Sequence, residues 1–291
     1  MVDINRTSFG QQLPVPVVQE IITSAREQSL VMRKAQRKSL VNGVANIGAT
    51  AGVTGSKFVA ETARKPLGTA EYSEKLLRAY KIALILSFSD EFMRDKAALY
   101  RALRDDMPKD IAATFDTAFF TGEGAPVGDF DTLEAAPSVA MGDNPYTTLL
   151  TAVGTAATAG GYTTEFDFAP QGEAGLFALA PDGRPLLVPS TSEGAIGSVL
   201  GRPVQISKNV YEAGADAAPA TVGFAMDWNS VFWGMVESIK YEEYRGPIYS
   251  ADGGTLIHAG AQDNMGSVIC EIEVGVRTIS DQRHVRITEG A

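Results

Sequence analysis

At 291 residues, with 45% apolar and 21% charged positions, the chain is long enough to bury one large core or two medium ones, and its composition excludes disorder throughout. No apolar run approaches the roughly 18 residues of a membrane span, so no membrane partner is expected, and the first twenty residues lack the pattern of a secretory signal, which places the expected site of synthesis in a cytoplasm-like space. The single Cys270 excludes an internal disulfide, and with only His258 and His284 a zinc site of Cys and His lacks ligands, so neither metal nor cofactor is expected.

The net charge of -10 is unevenly spread. Residues 1–65 hold nine Lys or Arg against four acids, +5, which leaves -15 for the remainder. Such an asymmetry fits one arm or face turned to an anion and another turned to solvent.

Residues 1–13 are polar and read as a flexible start. Pro14 and Pro16 introduce an apolar pattern from Val17 to Met32 that predicts a short amphipathic helix. Arg33, Lys34, Arg37 and Lys38 follow at once. A solvated charge run and an anion contact are both open readings of that cluster. Residues 41–56, rich in Gly, Ala, Asn and Thr, read as an extended arm.

The stretch 57–122 carries the strongest local signals. Residues 57–61 (Lys57, Phe58, Val59, Ala60, Glu61) are β-prone, and Lys65-Pro66-Leu67-Gly68 has the Pro and Gly of a type I turn. Residues 79–89 alternate, with Tyr80, Ile82, Leu84, Leu86 and Phe88 on one face, which is the period of a strand. These runs predict a long hairpin between 57–61 and 79–89. A two-stranded hairpin is marginal alone in water, so it needs a third surface, and a second copy of the chain is the obvious supplier.

From Ser89 the pattern turns helical. Ser89 can cap, Asp90 and Glu91 suit a first turn, and Phe92, Leu99, Leu103, Met107, Ile111, Phe115 and Phe119 form one stripe. The spacing predicts a long helix over 89–121, kinked near Arg104 to Pro108 by the missing proline donor. Gly122 and Gly124 read as a helix cap and turn, since the order helix-then-loop is wrong for a phosphate cradle.

Downstream, residues 146–159 predict a helix stopped by Gly160-Gly161, residues 175–180 a short strand, Pro181 to Arg184 a turn, and residues 200–206 a strand. From Thr221 the chain turns to β, ending in an alternating run, Val268, Cys270, Ile272, Val274 and Val276. Cys270 on the apolar face reads as a packing thiol rather than a nucleophile, because no acid or histidine adjoins it at motif spacing.

The order of these elements resembles the major capsid proteins of tailed bacteriophages, the family whose fold is named after phage HK97. The resemblance rests on Phe58-Val59-Ala60-Glu61, Lys81-Ile82-Ala83, Ser89-Asp90-Glu91-Phe92, Thr121-Gly122-Glu123-Gly124-Ala125-Pro126-Val127-Gly128, Leu200-Gly201-Arg202-Pro203-Val204, Gly223-Phe224-Ala225-Met226-Asp227 and His284-Val285-Arg286-Ile287, in that order along nearly the whole chain. It implies an α+β fold with an N-terminal arm (1–56), an extended loop (57–88), a peripheral domain with a spine helix (89–130 and 222–278) and an axial domain (131–221 and 279–291).

It further implies a non-enzymatic chain that self-assembles as hexamers and pentamers into an icosahedral shell around double-stranded DNA in the host cytoplasm. Phe58, Lys65, Pro66, Leu67 and Gly68 would touch a neighbouring subunit, and Arg33, Lys34, Arg37 and Lys38 would face the DNA. Portal, decoration and scaffold proteins are the other partners implied. The arm begins almost at Met1, which points to a separate scaffold or none. Some relatives join subunits by a Lys to Asn isopeptide bond; Lys65 and Asn264 are formal counterparts, and Lys65 reads better as a surface lysine. An encapsulin-type shell around protein cargo is the nearest alternative, disfavoured by the basic arm. A soluble hydrolase would need His258 or His284 as base, and neither lies in a recognisable motif.

Overall fold

The structure, a computed structural model, describes residues 29–61, 63–90, 106–142, 144–177, 186–189, 197–214, 219–236, 240–250 and 253–290. Most of the helix expected after Pro14, the expected spine from 91 to 105 and the turn at 181–184 lie outside the described residues.

A short helix, α1 (Leu30–Lys34), is capped by Ser29, whose hydroxyl accepts from the Met32 N–H. It leads into β1 (Gln36–Ser39), β2 (Val44–Thr54), β3 (Thr69–Arg78) and β4 (Tyr80–Ser89). The hairpin is β2 with β3, paired antiparallel from Val44↔Arg78 to Thr54↔Thr69. At about 3.3 Å per residue the ladder is about 33 Å long.

This corrects the expected pairing. Residues 57–61 belong to the connection between β2 and β3 and form no strand, whereas the expected arm at 44–54 is a hairpin strand. The alternating run does form β4, but its partner is the long strand β15 (Met265–Thr278), which offers ten consecutive cross-strand pairs from Ser89↔Met265 to Tyr80↔Val274. Ten pairs with a buried face outcompete the five residues of 57–61.

The described part of the spine is α2 (Met107–Thr121), ended by Gly122 in the left-handed conformation (φ 78°). Pro108 stands in its first turn, where a proline has no intrahelical bond to lose, and the kink expected near Arg104 to Pro108 falls partly outside the described residues. Met107, Ile111, Phe115 and Phe119 are buried at four-residue spacing, as the stripe requires.

The chain continues through β5 (Ser138–Ala140), α3 (Pro145–Thr158), β6 (Glu165–Phe168), α4 (Glu173–Leu176), β7 (Val188–Pro189), β8 (Gly197–Val199), β9 (Arg202–Ile206), β10 (Thr221–Met226), β11 (Val231–Met235), β12 (Lys240–Tyr244), β13 (Ile248–Tyr249), β14 (Leu256–His258), β15 (Met265–Thr278) and β16 (Val285–Thr288). Gly175 and Leu176, expected in a strand, are in the single turn α4, where Leu176 plugs the core as a helical residue; 178–180 lie outside the described residues.

Two sheets divide the molecule. A five-stranded sheet runs β1-β11-β15-β12, with β4 on the other side of β15, and a seven-stranded sheet runs β5-β16-β10-β6-β9-β8-β7. On β15 the odd-even pattern does what the sequence demands: Val268, Cys270, Ile272, Val274 and Val276 turn into one core with α2, while Ile269, Glu271, Glu273 and Arg277 face away. The second core lies between α3 (Leu149, Ala152, Ala156) and Phe166, Phe168, Val204, Val222, Val285 and Ile287.

Because Thr221–Met226 pairs with β16 and β6, residues 221–226 belong to the seven-stranded sheet, and the chain passes to the five-stranded sheet after Met226. The reason is register: all six residues of β10 are buried, and only a central strand of the seven-stranded sheet covers both faces.

Candidate assembly surfaces and the basic segment

The hairpin has a buried root and a solvated end. At the root, Ile47 and Leu77 pack with Leu40 and Phe232 in a separate apolar cluster. A set of ion pairs fixes that root to the body. Arg277 on β15 donates to Asp131 (2.6 Å), to Asp129 (3.2 Å) and, through Nε, to the Leu76 carbonyl on β3 (2.9 Å). Lys75 donates to Asp131 (3.4 Å) and to the Thr278 carbonyl (3.0 Å), and the Thr278 N–H donates to Asp131 (2.9 Å). Arg277 has only 13% of its side chain exposed, so these bonds form partly out of water and exceed surface pairs in strength.

At the other end Phe58 and Leu67 are 110% and 96% exposed, and Lys65, Pro66 and Gly68 are exposed beside them. All five residues expected to meet a neighbour therefore share the connection 55–68. Lys65 stands in solvent, and Asn264 sits at the start of β15 in the left-handed conformation, its carbonyl accepting from the Asp90 N–H.

The four basic residues expected to face DNA are engaged with their own chain. Lys34 donates to Glu165 (2.8 Å) and Arg33 to Gln205 (3.3 Å), both on the seven-stranded sheet. Arg37 lies over the Trp233 ring and Lys38 over Phe232, at 5.6 and 5.1 Å from the centroids, while β1 itself is exposed along its length. The arm is a built part of the fold from Ser29 onward.

A buried carboxylate explains where the arm attaches. Asp116 on α2 accepts from the Ser29 hydroxyl (2.6 Å), the Leu30 N–H (2.8 Å) and the Val31 N–H (3.3 Å). Burial pushes its carboxyl up to about 6, against the lowering effect of these donors and of the Asn209 side chain. Under α1, Asp167 is held well above the usual carboxylate range by burial and by the neighbouring Glu165, with Lys34 pulling the other way.

The two histidines are packing groups. His284 is buried and its Nδ1 accepts from the Asp227 N–H (3.3 Å), so Nε2 carries the proton and donates to Thr278 Oγ1 (2.9 Å). Burial and the charge of Arg283 hold its pKa down to about 3. His258 accepts at Nδ1 from the Gly260 N–H (3.1 Å) and so donates from Nε2 to Ser87 (2.9 Å). In both cases the nitrogen facing a hydroxyl is the protonated one, the wrong tautomer for a base that would activate it. Cys270 is buried.

Sequence reasoning missed Asp116 and the clamp of Asp129, Asp131 and Arg277. The partners named above are 56 to 201 residues away in the chain, beyond any spacing rule. The model of the phage capsid family matches residues 10–277. The chain belongs to that family. It is therefore a structural capsid protein, which associates with copies of itself in the virion shell. No curated protein matches the sequence.

Among solved structures, one from Mycobacterium phage Ogopogo is 16% identical, with TM-score 0.70 over 90% of this chain and 92% of that one. One from Gordonia phage Cozz is 19% identical, with TM-score 0.68 over 91% and 87%. The capsid of an empty GTA particle is 15% identical, with TM-score 0.64 over 100% and 96%. Identities this low show the fold, and the fold is the HK97-like one.

Proposed function

We propose that this capsid protein builds an icosahedral shell of hexamers and pentamers around double-stranded DNA, assembled in the host cytoplasm, and that it catalyses no reaction. The observation that carries the reading is the solvated end of the hairpin. A ladder about 33 Å long that places a phenylalanine and a leucine wholly in water has a use for them only against another surface, and an isolated two-stranded ribbon gains stability from such a cover.

Phe58, Lys65, Pro66, Leu67 and Gly68 are the residues that meet the neighbouring subunit. Arg37 and Lys38, exposed on an edge strand, face the DNA; Lys34 and Arg33 contribute there only what their bonds to Glu165 and Gln205 leave over. The five-stranded sheet with α2 serves as the peripheral domain and the seven-stranded sheet with α3 as the axial one. Portal, decoration and scaffold proteins would be the remaining partners.

Purified chain, expressed alone and with a scaffold from the same virus, tests the reading by electron microscopy and by the nucleic-acid content of what forms. Closed shells that retain DNA are expected. Monomer under both conditions contradicts it, and shells that exclude nucleic acid and hold protein cargo point to a cellular compartment instead.

A further inference from the structure

The segment from Ser29 to Ser39 touches both halves of the molecule by different means. Its first turn is fastened to α2, which packs on the five-stranded sheet: one carboxylate, Asp116, takes the Ser29 hydroxyl and the two N–H groups of Leu30 and Val31, and Ser29, Leu30, Val31 and Met32 are all buried there. The last turn of α1 is fastened to the seven-stranded sheet by Lys34 on Glu165 of β6 and Arg33 on Gln205 of β9. The segment then lies along β11 as the parallel edge strand β1, with the Gln36 side chain donating to the Asn229 carbonyl (3.0 Å) in the turn between β10 and β11.

Each contact alone is ordinary. Together they bridge the place where the chain passes from one sheet to the other, through eleven residues that contribute only a four-residue edge strand to either sheet. The fastening on α2 is apolar as well as polar, because Leu30, Val31, Met32 and Ala35 pack into the core around that helix, whereas the fastening on the seven-stranded sheet is polar and discrete, so the segment can let go of that sheet without opening its apolar core.

We infer that residues 29–39 form a strap that sets the angle between the two sheets, with Asp116 and Glu165 as its two fastenings. Slackening the strap loosens that angle while leaving each sheet folded. In a shell of identical subunits the angle within the subunit feeds into the curvature of the whole, so the strap is a control on particle size.

Hydrogen exchange of the full chain tests it. Asp116→Asn keeps the size and one acceptor but loses the second charge-assisted acceptor. The amides of residues 30–39 and of the junction 227–230 are then expected to exchange at least about tenfold faster, with β10 and β15 unchanged. A uniform rise across both sheets would make Asp116 a plain core residue and overturn the strap, as would undiminished protection of 30–39.

Lys34→Met strands the buried Glu165 carboxylate and is expected to loosen the same amides; adding Glu165→Gln removes the stranded charge and should recover part of the protection. A double variant no better than Lys34→Met removes Glu165 from its role. Shells assembled from Asp116→Asn are expected to show a broader diameter distribution by electron microscopy. Local loosening in shells of unchanged size would separate the strap from the inter-sheet angle and overturn the proposal.

Discussion

The root and the far end of the β2–β3 hairpin share one backbone ladder and treat their side chains in opposite ways. At the root, Leu77 is fully buried, Ile47 nearly so, and Lys75 is paired within the chain, while Arg277 of the neighbouring sheet takes the carbonyl of Leu76. At the end, Phe58 and Leu67 have no cover. The root spends its apolar residues on folding the subunit, and the end keeps them for association. That difference separates two classes of mutation, those that unfold the monomer and those that leave it folded and alone.

The largest effect should come from the end. Phe58→Ser with Leu67→Ser forfeits about 1.5–3 kcal/mol for each side chain buried at a contact, and the contact recurs at every subunit, so shells should be lost altogether while the melting temperature of the subunit stays within about a degree or two, as for substitutions far from the core. Size-exclusion chromatography beside calorimetry checks both halves; a lowered melting temperature would show that the end also supports the fold.

The reverse is expected at the root. Leu77→Ala should lower subunit stability by about 2–5 kcal/mol, measured by denaturant titration, and should affect assembly only as the folded fraction falls. Asp131→Ala comes next. It strips Arg277 and Lys75 of their shared acceptor and should cost about 1–3 kcal/mol, with faster hydrogen exchange concentrated in residues 74–78; exchange spread evenly over the sheet would remove the clamp from its assigned place.

The comparison also has a pH-dependent side, in the body rather than the hairpin. His284, folded pKa about 3 against 6.5 for the free side chain, binds its proton in the unfolded chain first, so stability falls as the pH drops below about 6.5. Asp116, folded pKa about 6 against 3.8, acts in the opposite sense: the folded state binds the proton first, so its contribution is full below about 3.8 and lost as pH rises through 6. Asp167, also raised, works with Asp116. Between pH 6 and 4 the acid loss, at most about 1.4 kcal/mol per pH unit from one group, should therefore be shallower in the wild type than in Asp116→Asn, where denaturation midpoints across that range should fall more steeply.

How much of this was legible depended on how local the cause was. The alternation at Tyr80–Ser89 and in Met265–Thr278, the glycine stop of α3, and the cap at Gly122 each lie within a few residues, and each stands in the structure. The strand Val44–Thr54 spells Val-Ala-Asn-Ile-Gly-Ala-Thr-Ala-Gly-Val-Thr, which has no alternation to read; its pairing follows from where β3 lies. The β-prone 57–61 misled for the converse reason, since propensity without a partner makes no ladder.

The Pro and Gly of Lys65-Pro66-Leu67-Gly68 marked the exposed connection, but the turn expected there does not form: 65–68 run on without turn hydrogen bonding, and a turn bond in the connection runs instead from the Ala63 N–H to the Ala60 carbonyl (2.9 Å). The clamp and Asp116 were not legible, because each joins residues that only the fold brings together. The basic cluster was visible as charge, while its in-chain partners, Glu165 and Gln205, came from a sheet edge that spacing could not locate.

The measurement that bears most directly on the division between root and end is a cryo-electron microscopy map of the assembled shell, detailed enough to place the side chains of residues 55–68. The account predicts Phe58 and Leu67 buried against another copy in every subunit environment, with Leu77 and Arg277 packed as they are in the single chain. A map in which Phe58 and Leu67 stay in solvent throughout the shell would contradict it.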